Sequence, residues 1–237
     1  MNSTLHDLHQ AIGGQLQAAA EPQAVPLGDI STDSREAQPG SVFWGLKGAQ
    51  YDGDDFAAEA FDRGAAGAVV SKPIALPPGR WAIQVPDTFE ALRRFAAWKR
   101  GRFTGAVIGV TGSVGKTTTR QMIHTALASR LRGTASPRNY NNHLGVPLSM
   151  TRIEPEQDYA VLELGASRRG EIASLAQLAA PKIGVITHVG DAHLSGFGGR
   201  HGVAIAKAEL LSALPPDGHA VLGDDPWLRR LASCCRA

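Results

Sequence analysis

The chain has 237 residues, with 24 Lys plus Arg against 22 Asp plus Glu, a formal net charge of +2, 43 % hydrophobic residues and 19 % charged ones. Such a composition excludes a disordered chain, a coiled coil and a collagen-like fibre, and its length allows one or two globular domains. No basic block stands out, which argues against a dedicated nucleic-acid binder.

The N-terminal stretch MNSTLHDLHQAIGG has neither a basic n-region nor an apolar h-region, so it is not a secretory signal. Leu5, Leu8, Ile12 and Leu16 recur at helical spacing and predict a short amphipathic helix. Residues 1–103 then mix short elements, with strands predicted over 41–48, 64–71 and 81–85 and helices over 54–64 and 87–103. The second helix has Asp87 or Thr88 to cap its start and a basic last turn that suits the helix dipole.

From residue 104 the pattern becomes regular. GAVIGVTG (105–112) is a buried-type strand, followed by a helix from about Gly115 to Arg130 and a short strand over 132–136. A strand over 158–165, a helix over 168–179, a strand over 182–190 and a helix over 201–214 follow, and 219–225 begins another strand-to-helix step. Strands alternating with helices of this length predict an α/β fold with a parallel, doubly wound sheet. In such sheets ligands bind beyond the carboxyl ends of the strands. No apolar run approaches the roughly 18 residues needed to span a bilayer. Cys234 and Cys235 are adjacent and lack any zinc-type spacing, as incidental thiols of a reducing compartment do, so a cytoplasmic protein is expected.

The sharpest local signal is Thr111-Gly112-Ser113-Val114-Gly115-Lys116-Thr117-Thr118, between an apolar strand and a helix. Gly112 and Gly115 let the backbone curl so that successive N–H groups point at phosphate oxygens, and the helix start adds its positive end. Lys116 supplies charge for the β and γ phosphates, and the Thr117 hydroxyl is placed for Mg²⁺. The strict Walker A form has a glycine where Val110 stands, so the match is to a shorter TGxxGKT form.

Other polar residues keep two readings at this level. Glu163, at the tip of an apolar strand, is placed for magnesium or is a strand-end charge facing water. His193 follows the next strand, with His188 and His201 nearby, and is a ligand or a satisfied loop residue. Lys207 lies in a helix, where a solvated lysine is the default. The amide-rich run Asn139 to Pro147 is a self-bonded loop or a ligand contact, and Ser31-Thr32-Asp33-Ser34-Arg35 is a turn or an anion-recognition segment.

Taken in order, these motifs resemble the Mur ligase family, and within it the MurF branch. The resemblance rests on Ser31–Arg35, Leu46-Lys47-Gly48 with Tyr51-Asp52-Gly53, TGSVGKTT (111–118), Asn-Asn-x-x-Gly-x-Pro (141–147), LELGASRRGEI (162–172), HVGDAHLSGFGG (188–199), AIAKAELL (204–211) and GDDP (223–226). It implies an ATP-dependent ligase of peptidoglycan precursor synthesis that joins D-Ala-D-Ala to UDP-MurNAc-tripeptide through an acyl phosphate. Ser31, Thr32, Asp33, Ser34, Arg35 and Lys47 would hold the UDP part of the substrate. Gly112 through Thr118, with Asn142 and Asp225, would hold ATP, Asn142 carrying a one-residue ambiguity against Asn141. Thr117, Glu163 and His193 would ligate Mg²⁺, and Lys207 matches a lysine that is carbamylated in several members and then binds a second Mg²⁺. Lys116, His193 and Lys207 are the expected catalytic residues.

The resemblance also implies a UDP-substrate domain over 1–103 and an incomplete ATP domain over 104–237, with the family's third, amine-binding domain absent. The chain alone is therefore expected to be inactive as a ligase and prone to association, although the full-length family is monomeric. Nucleic acid and membrane insertion have no place in it. A ligase of the MurE type that adds a diamino acid and a non-catalytic nucleotide-binding fragment are the alternatives.

Overall fold

A computed structural model describes residues 3–18, 25–137, 139–190 and 194–232. The chain divides into two compact units, Met1–Trp98 and Lys99–Ala237. His193, Asp191, Cys234 and Cys235 lie outside the described residues.

The first unit opens with helix α1 (Leu5–Ile12), whose Leu5, Leu8 and Ile12 are buried. Thr4 and Asp7 cap each other reciprocally and so satisfy two backbone donors that the helix start would otherwise leave open. Leu16 does not extend this helix as its spacing suggests. Gly13 and Gly14 adopt φ of 70° and 92°, which ends the helix and turns the chain into strand β1 (Gln15–Ala18). Strands β2 (Ile30–Ser31), β3 (Val42–Trp44), β4 (Gly67–Val70) and β5 (Trp81–Gln84) complete a sheet in the order β1-β5-β4-β3-β2. Its pairs are parallel except β1 with β5. Helix α2 (Ala57–Asp62) follows a 3₁₀ turn at Gly53–Phe56, and helix α3 is Thr88–Arg102. Buried Trp44 donates its indole N–H to the Thr88 carbonyl at 2.7 Å and stacks against Phe95, which fastens β3 to α3.

The second unit contains β6 (Ala106–Thr111), α4 (Lys116–Ala128), β7 (Gly133–Ala135), α5 (Gly145–Thr151), β8 (Tyr159–Glu163), α6 (Glu171–Ala179), β9 (Ile183–Ile186), α7 (Leu194–Phe197), α8 (Arg200–Ser212), β10 (His219–Leu222) and α9 (Pro226–Ala232). Its five strands pair in parallel in the order β10-β9-β6-β8-β7. The parallel sheet expected from the alternating pattern is present. β8 is buried along its whole length, which is why it reads as a continuous apolar run. Ile108 and Val110 of β6 pack with Ile123 and Leu127 of α4 on one face. On the other face Gly109 and Gly184 sit side by side, and a Cβ on either would come within 3.2 Å of Leu210 of α8. The two glycines thus let α8 settle against the sheet. Each fully buried leucine in this unit, Leu162 and Leu164 among them, contributes about 2 kcal/mol from apolar burial.

The segment 139–147 departs from the expected loop, because helix α5 begins at Gly145 and contains Pro147. Proline is tolerated there because the first helical turn has no internal acceptors for its N–H groups.

Candidate functional site

The candidate centre lies in the second unit, at the carboxyl ends of β6, β8 and β9. The chain leaves β6 toward α4 on one face of the sheet and leaves β8 toward α6 on the other, which opens a crevice between the two loops. A cavity of about 480 Å³ occupies it, lined by Gly112, Ser113 and Lys116 from one loop and by Gly165 to Arg168 from the other. Asn141, Asn142, His143, Phe197 and Lys207 close its remaining sides.

The loop between β6 and α4 is the one expected to cradle phosphate. Gly112 has φ of 148°, and a Cβ there would lie 2.0 Å from the Thr187 hydroxyl oxygen. Gly115 takes the left-handed conformation, φ 80°, as the cap of α4. The Thr187 hydroxyl donates to the Val114 carbonyl at 2.6 Å, and the Ser113 N–H donates to the His188 carbonyl at 2.9 Å. These bonds fasten the loop to the end of β9. The Lys116 ammonium donates to the carbonyls of Gly112 and Ser113 at 2.7 and 3.2 Å, folding the side chain over the loop. Burial lowers the Lys116 pKa, and the Glu163 charge pulls in the opposite direction. Thr118 is exposed in the first turn of α4, and Val114 is exposed at the loop tip.

Glu163 does not face water. It is 1 % exposed at the end of β8. Its Oε2 accepts from the Thr117 hydroxyl at 2.9 Å and its Oε1 from the Asn141 amide at 2.8 Å. Its backbone N–H donates to the Ser136 hydroxyl at 3.0 Å, and the Arg120 guanidinium stands 3.8 Å from Oε2. The two amides make different contacts. Both line the cavity, but Asn141 reaches the carboxylate, whereas the Oδ1 of Asn142 accepts from the backbone N–H groups of Leu144 and Gly145 at the start of α5.

Lys207 is buried on α8, contrary to the helical default of a solvated lysine, and its ammonium lies 5.7 Å from the Phe197 ring centre. Burial and the nearby Lys116 charge bring its pKa down to about 8, against the opposing pull of Glu209 and Glu171. A lysine that holds its proton less tightly when folded costs stability below about pH 8, and that cost fades as pH rises toward the ordinary value of 10.5. Wild-type stability should therefore rise by about 3 kcal/mol relative to Lys207→Met between neutral and strongly alkaline pH. Urea midpoints of the two proteins across that range check this, and parallel curves would contradict it.

Asp225 is buried ahead of α9 and is not among the cavity-lining residues. It accepts from the Trp227 N–H at 2.8 Å and pairs with His188 at 3.0 Å. Burial pushes its pKa up, but the backbone donors of Trp227, Val189 and Leu228 outweigh this and hold it low. Arg120, Ser136 and Thr187 escape the motif reading. One signal was available, since Arg120 falls four residues after Lys116 and so on the same face of α4.

In the first unit a cavity of about 870 Å³ is lined by Thr32, Asp33, Ser34 and Arg35, and by the aromatic rings of Phe43, Tyr51 and Phe56. Arg35 grips Asp33 through Nε and Nη2 at 2.9 and 2.6 Å, and this bond holds the Asp33 carboxyl below its usual range although burial pulls the other way. Ser34 is buried and donates to Glu59 at 2.7 Å. Ser31 and exposed Lys47 are not among the lining residues. Tyr51 and Phe56 meet edge to face at 6.3 Å between ring centres and add an aromatic wall that the polar motif did not announce. Asp54 fixes the loop before Phe56 by accepting from the Ser71 hydroxyl at 2.6 Å and from the N–H groups of Ser71 and Lys72.

Among the described residues, no group of three or more His, Cys, Asp or Glu side chains could hold a metal ion by itself. Thr117 and Glu163 nevertheless bring two oxygens together at the phosphate loop, a donor set that suits Mg²⁺ sharing its coordination with phosphate and water. No helix among the described residues is long and apolar enough to cross a membrane.

Comparison with known proteins agrees with this architecture. The Mur ligase middle domain family matches residues 110–236, and the Mur ligase catalytic domain family matches residues 28–100. The chain is 38 % identical over 233 residues to the UDP-N-acetylmuramoyl-tripeptide--D-alanyl-D-alanine ligase of Bacillus subtilis, covering 98 % of this chain and 51 % of that protein. It is likewise 38 % identical to the Escherichia coli enzyme of the same name, covering 95 % and 49 %. Among solved structures, MurF from Acinetobacter baumannii superposes with a TM-score of 0.85 at 34 % identity, covering 98 % of this chain and 51 % of that one. The Thermotoga maritima MurF ligase in complex with ADP gives 0.73 at 35 % identity, covering 85 % and 47 %. The chain spans about half the length of the curated relatives it matches. On this evidence it belongs to the Mur ligase family.

Proposed function

We propose that the chain carries the nucleotide-binding and UDP-precursor-binding parts of a MurF-type ligase, which uses ATP to join D-Ala-D-Ala to UDP-MurNAc-tripeptide. The carrying observation is Lys116 lining a cavity at the phosphate-type loop, with the hydroxyl of the next residue, Thr117, 2.9 Å from buried Glu163. In this reading the cradle N–H groups and Lys116 hold the ATP phosphates. Lys116 supplies the positive charge that lets a substrate carboxylate approach the γ-phosphate. The carboxylate attacks the γ-phosphorus to give an acyl phosphate and ADP, and the incoming amine then displaces phosphate. Much of the rate would come from holding the reactants in line.

Thr117 and Glu163 would hold Mg²⁺, with His193 as the further ligand that the family resemblance implies, and the ion would neutralise phosphate charge. Lys207 fits carbamylation, because a pKa of about 8 leaves an appreciable share of free amine near neutrality to take up CO₂. The first-unit cavity would take the UDP part, with Arg35 on its anionic side and Tyr51 and Phe56 on its aromatic side. Such a reaction belongs in the cytoplasm, where ATP is supplied.

Titration calorimetry with UDP-MurNAc-tripeptide tests the substrate half of this reading. Saturable binding that UDP displaces and CDP does not is the expected result. Absence of binding, or equal displacement by both nucleotides, would contradict it.

A further inference from the structure

We propose that Arg120 is a positioning residue that holds Glu163 in the orientation needed to receive the metal accompanying the nucleotide; the inference rests on the nucleotide reading above. Arg120 is one helical turn beyond Lys116, so the residue that meets phosphate and the residue behind the carboxylate share one face of α4. Its side chain is 7 % exposed and that of Glu163 is 2 % exposed. Moving a guanidinium out of water costs several kcal/mol, and the contact with Glu163 at 3.8 Å returns only part of that. A buried arginine is therefore an expensive way to fill space.

Its place explains the expense. Asn141 engages Oε1 of Glu163, and Thr117 and Arg120 both engage Oε2. Thr117 is itself an expected metal ligand, so its bond to Oε2 must give way when a cation enters. Arg120 and Asn141 then remain as the two contacts that fix the carboxylate. Residues that orient a metal ligand in this manner typically change metal affinity by about 10- to 100-fold when removed.

Simple repulsion predicts the opposite sign, because removing a cation should strengthen binding of another. The sign of the change therefore separates positioning from bulk charge. The test is ATP affinity of the whole chain, measured by calorimetry in EDTA and in Mn²⁺, with the paramagnetic resonance signal of bound Mn²⁺ as a second readout. In Arg120→Met the gain in affinity on adding Mn²⁺ should fall by about tenfold or more, with affinity in EDTA unchanged. Arg120→Leu, which removes both the charge and the donors, makes the same comparison should the methionine variant fail to fold. Arg120→Lys should keep most of the gain. An unchanged or larger gain in the uncharged variants overturns the proposal, as does an equal loss in both conditions, which would mark a folding role. If the wild-type chain binds ATP with no metal-dependent gain, the metal reading itself fails and takes the inference with it.

Discussion

Replacing Lys116 with alanine should weaken ATP binding by about 3 kcal/mol, roughly a hundredfold, while leaving the fold intact. The ammonium lies over the phosphate loop, 2.7 Å from the Gly112 carbonyl. The backbone N–H groups of the loop can still meet phosphate in the variant, but the mobile positive charge is gone. Folding should not suffer, because burial already lowers the Lys116 pKa and its contacts with its own loop do not offset that burial fully. Calorimetry gives the affinity, and a thermal melt without nucleotide gives the stability. An unaltered ATP affinity would mean that phosphate binds elsewhere.

The second large effect is expected at Glu163. Glu163→Ala should destabilise the second unit by about 4 kcal/mol, since it leaves the buried Arg120 guanidinium without its carboxylate and the Asn141 amide without its acceptor. The same change removes the only expected carboxylate ligand of Mg²⁺ among the described residues, so ATP binding should lose its dependence on the metal. Glu163→Gln keeps the shape and an acceptor oxygen, and should recover much of the stability but not the metal dependence. Urea unfolding and ATP titrations with and without Mg²⁺ separate the two consequences. Equal stability of the alanine variant and the wild type would show that the ion pair contributes little.

These effects also show why some of the site was legible in the sequence and some was not. The phosphate cradle is local chemistry, because the glycines, the lysine and the hydroxyl act within one strand-loop-helix step and their spacing carries the function. The parallel sheet was equally legible, since strands buried on both faces such as β8 leave uninterrupted apolar runs. Asn141, Ser136 and Arg120 meet Glu163 from distant positions, and only the strand order brings them together. Lys207 was hidden for a related reason. A helix shows its own periodicity but not which neighbouring face will bury a charge, and α8 turns this lysine inward beside Phe197.

Backbone conformation accounts for the remaining misreadings. Leu16 keeps helical spacing with Leu5, Leu8 and Ile12, yet Gly13 and Gly14 redirect the chain before it. Pro147, within the run read as a loop or ligand contact, sits where a helix can accept it, in the first turn of α5. The aromatic wall of the first-unit cavity depends on Asp54 and its bonds to Ser71 and Lys72, a long-range anchor with no local motif.

The central claim is that the second unit binds ATP through the Gly112–Thr117 loop and couples that binding to a metal through Glu163. Calorimetric titration of ATP into the wild-type chain, once with Mg²⁺ and once with EDTA, tests it most directly. One saturable site per chain, strengthened by Mg²⁺ and lost in Lys116→Ala, is the predicted result. No saturable site, or a site indifferent to both Mg²⁺ and the lysine, would contradict the account.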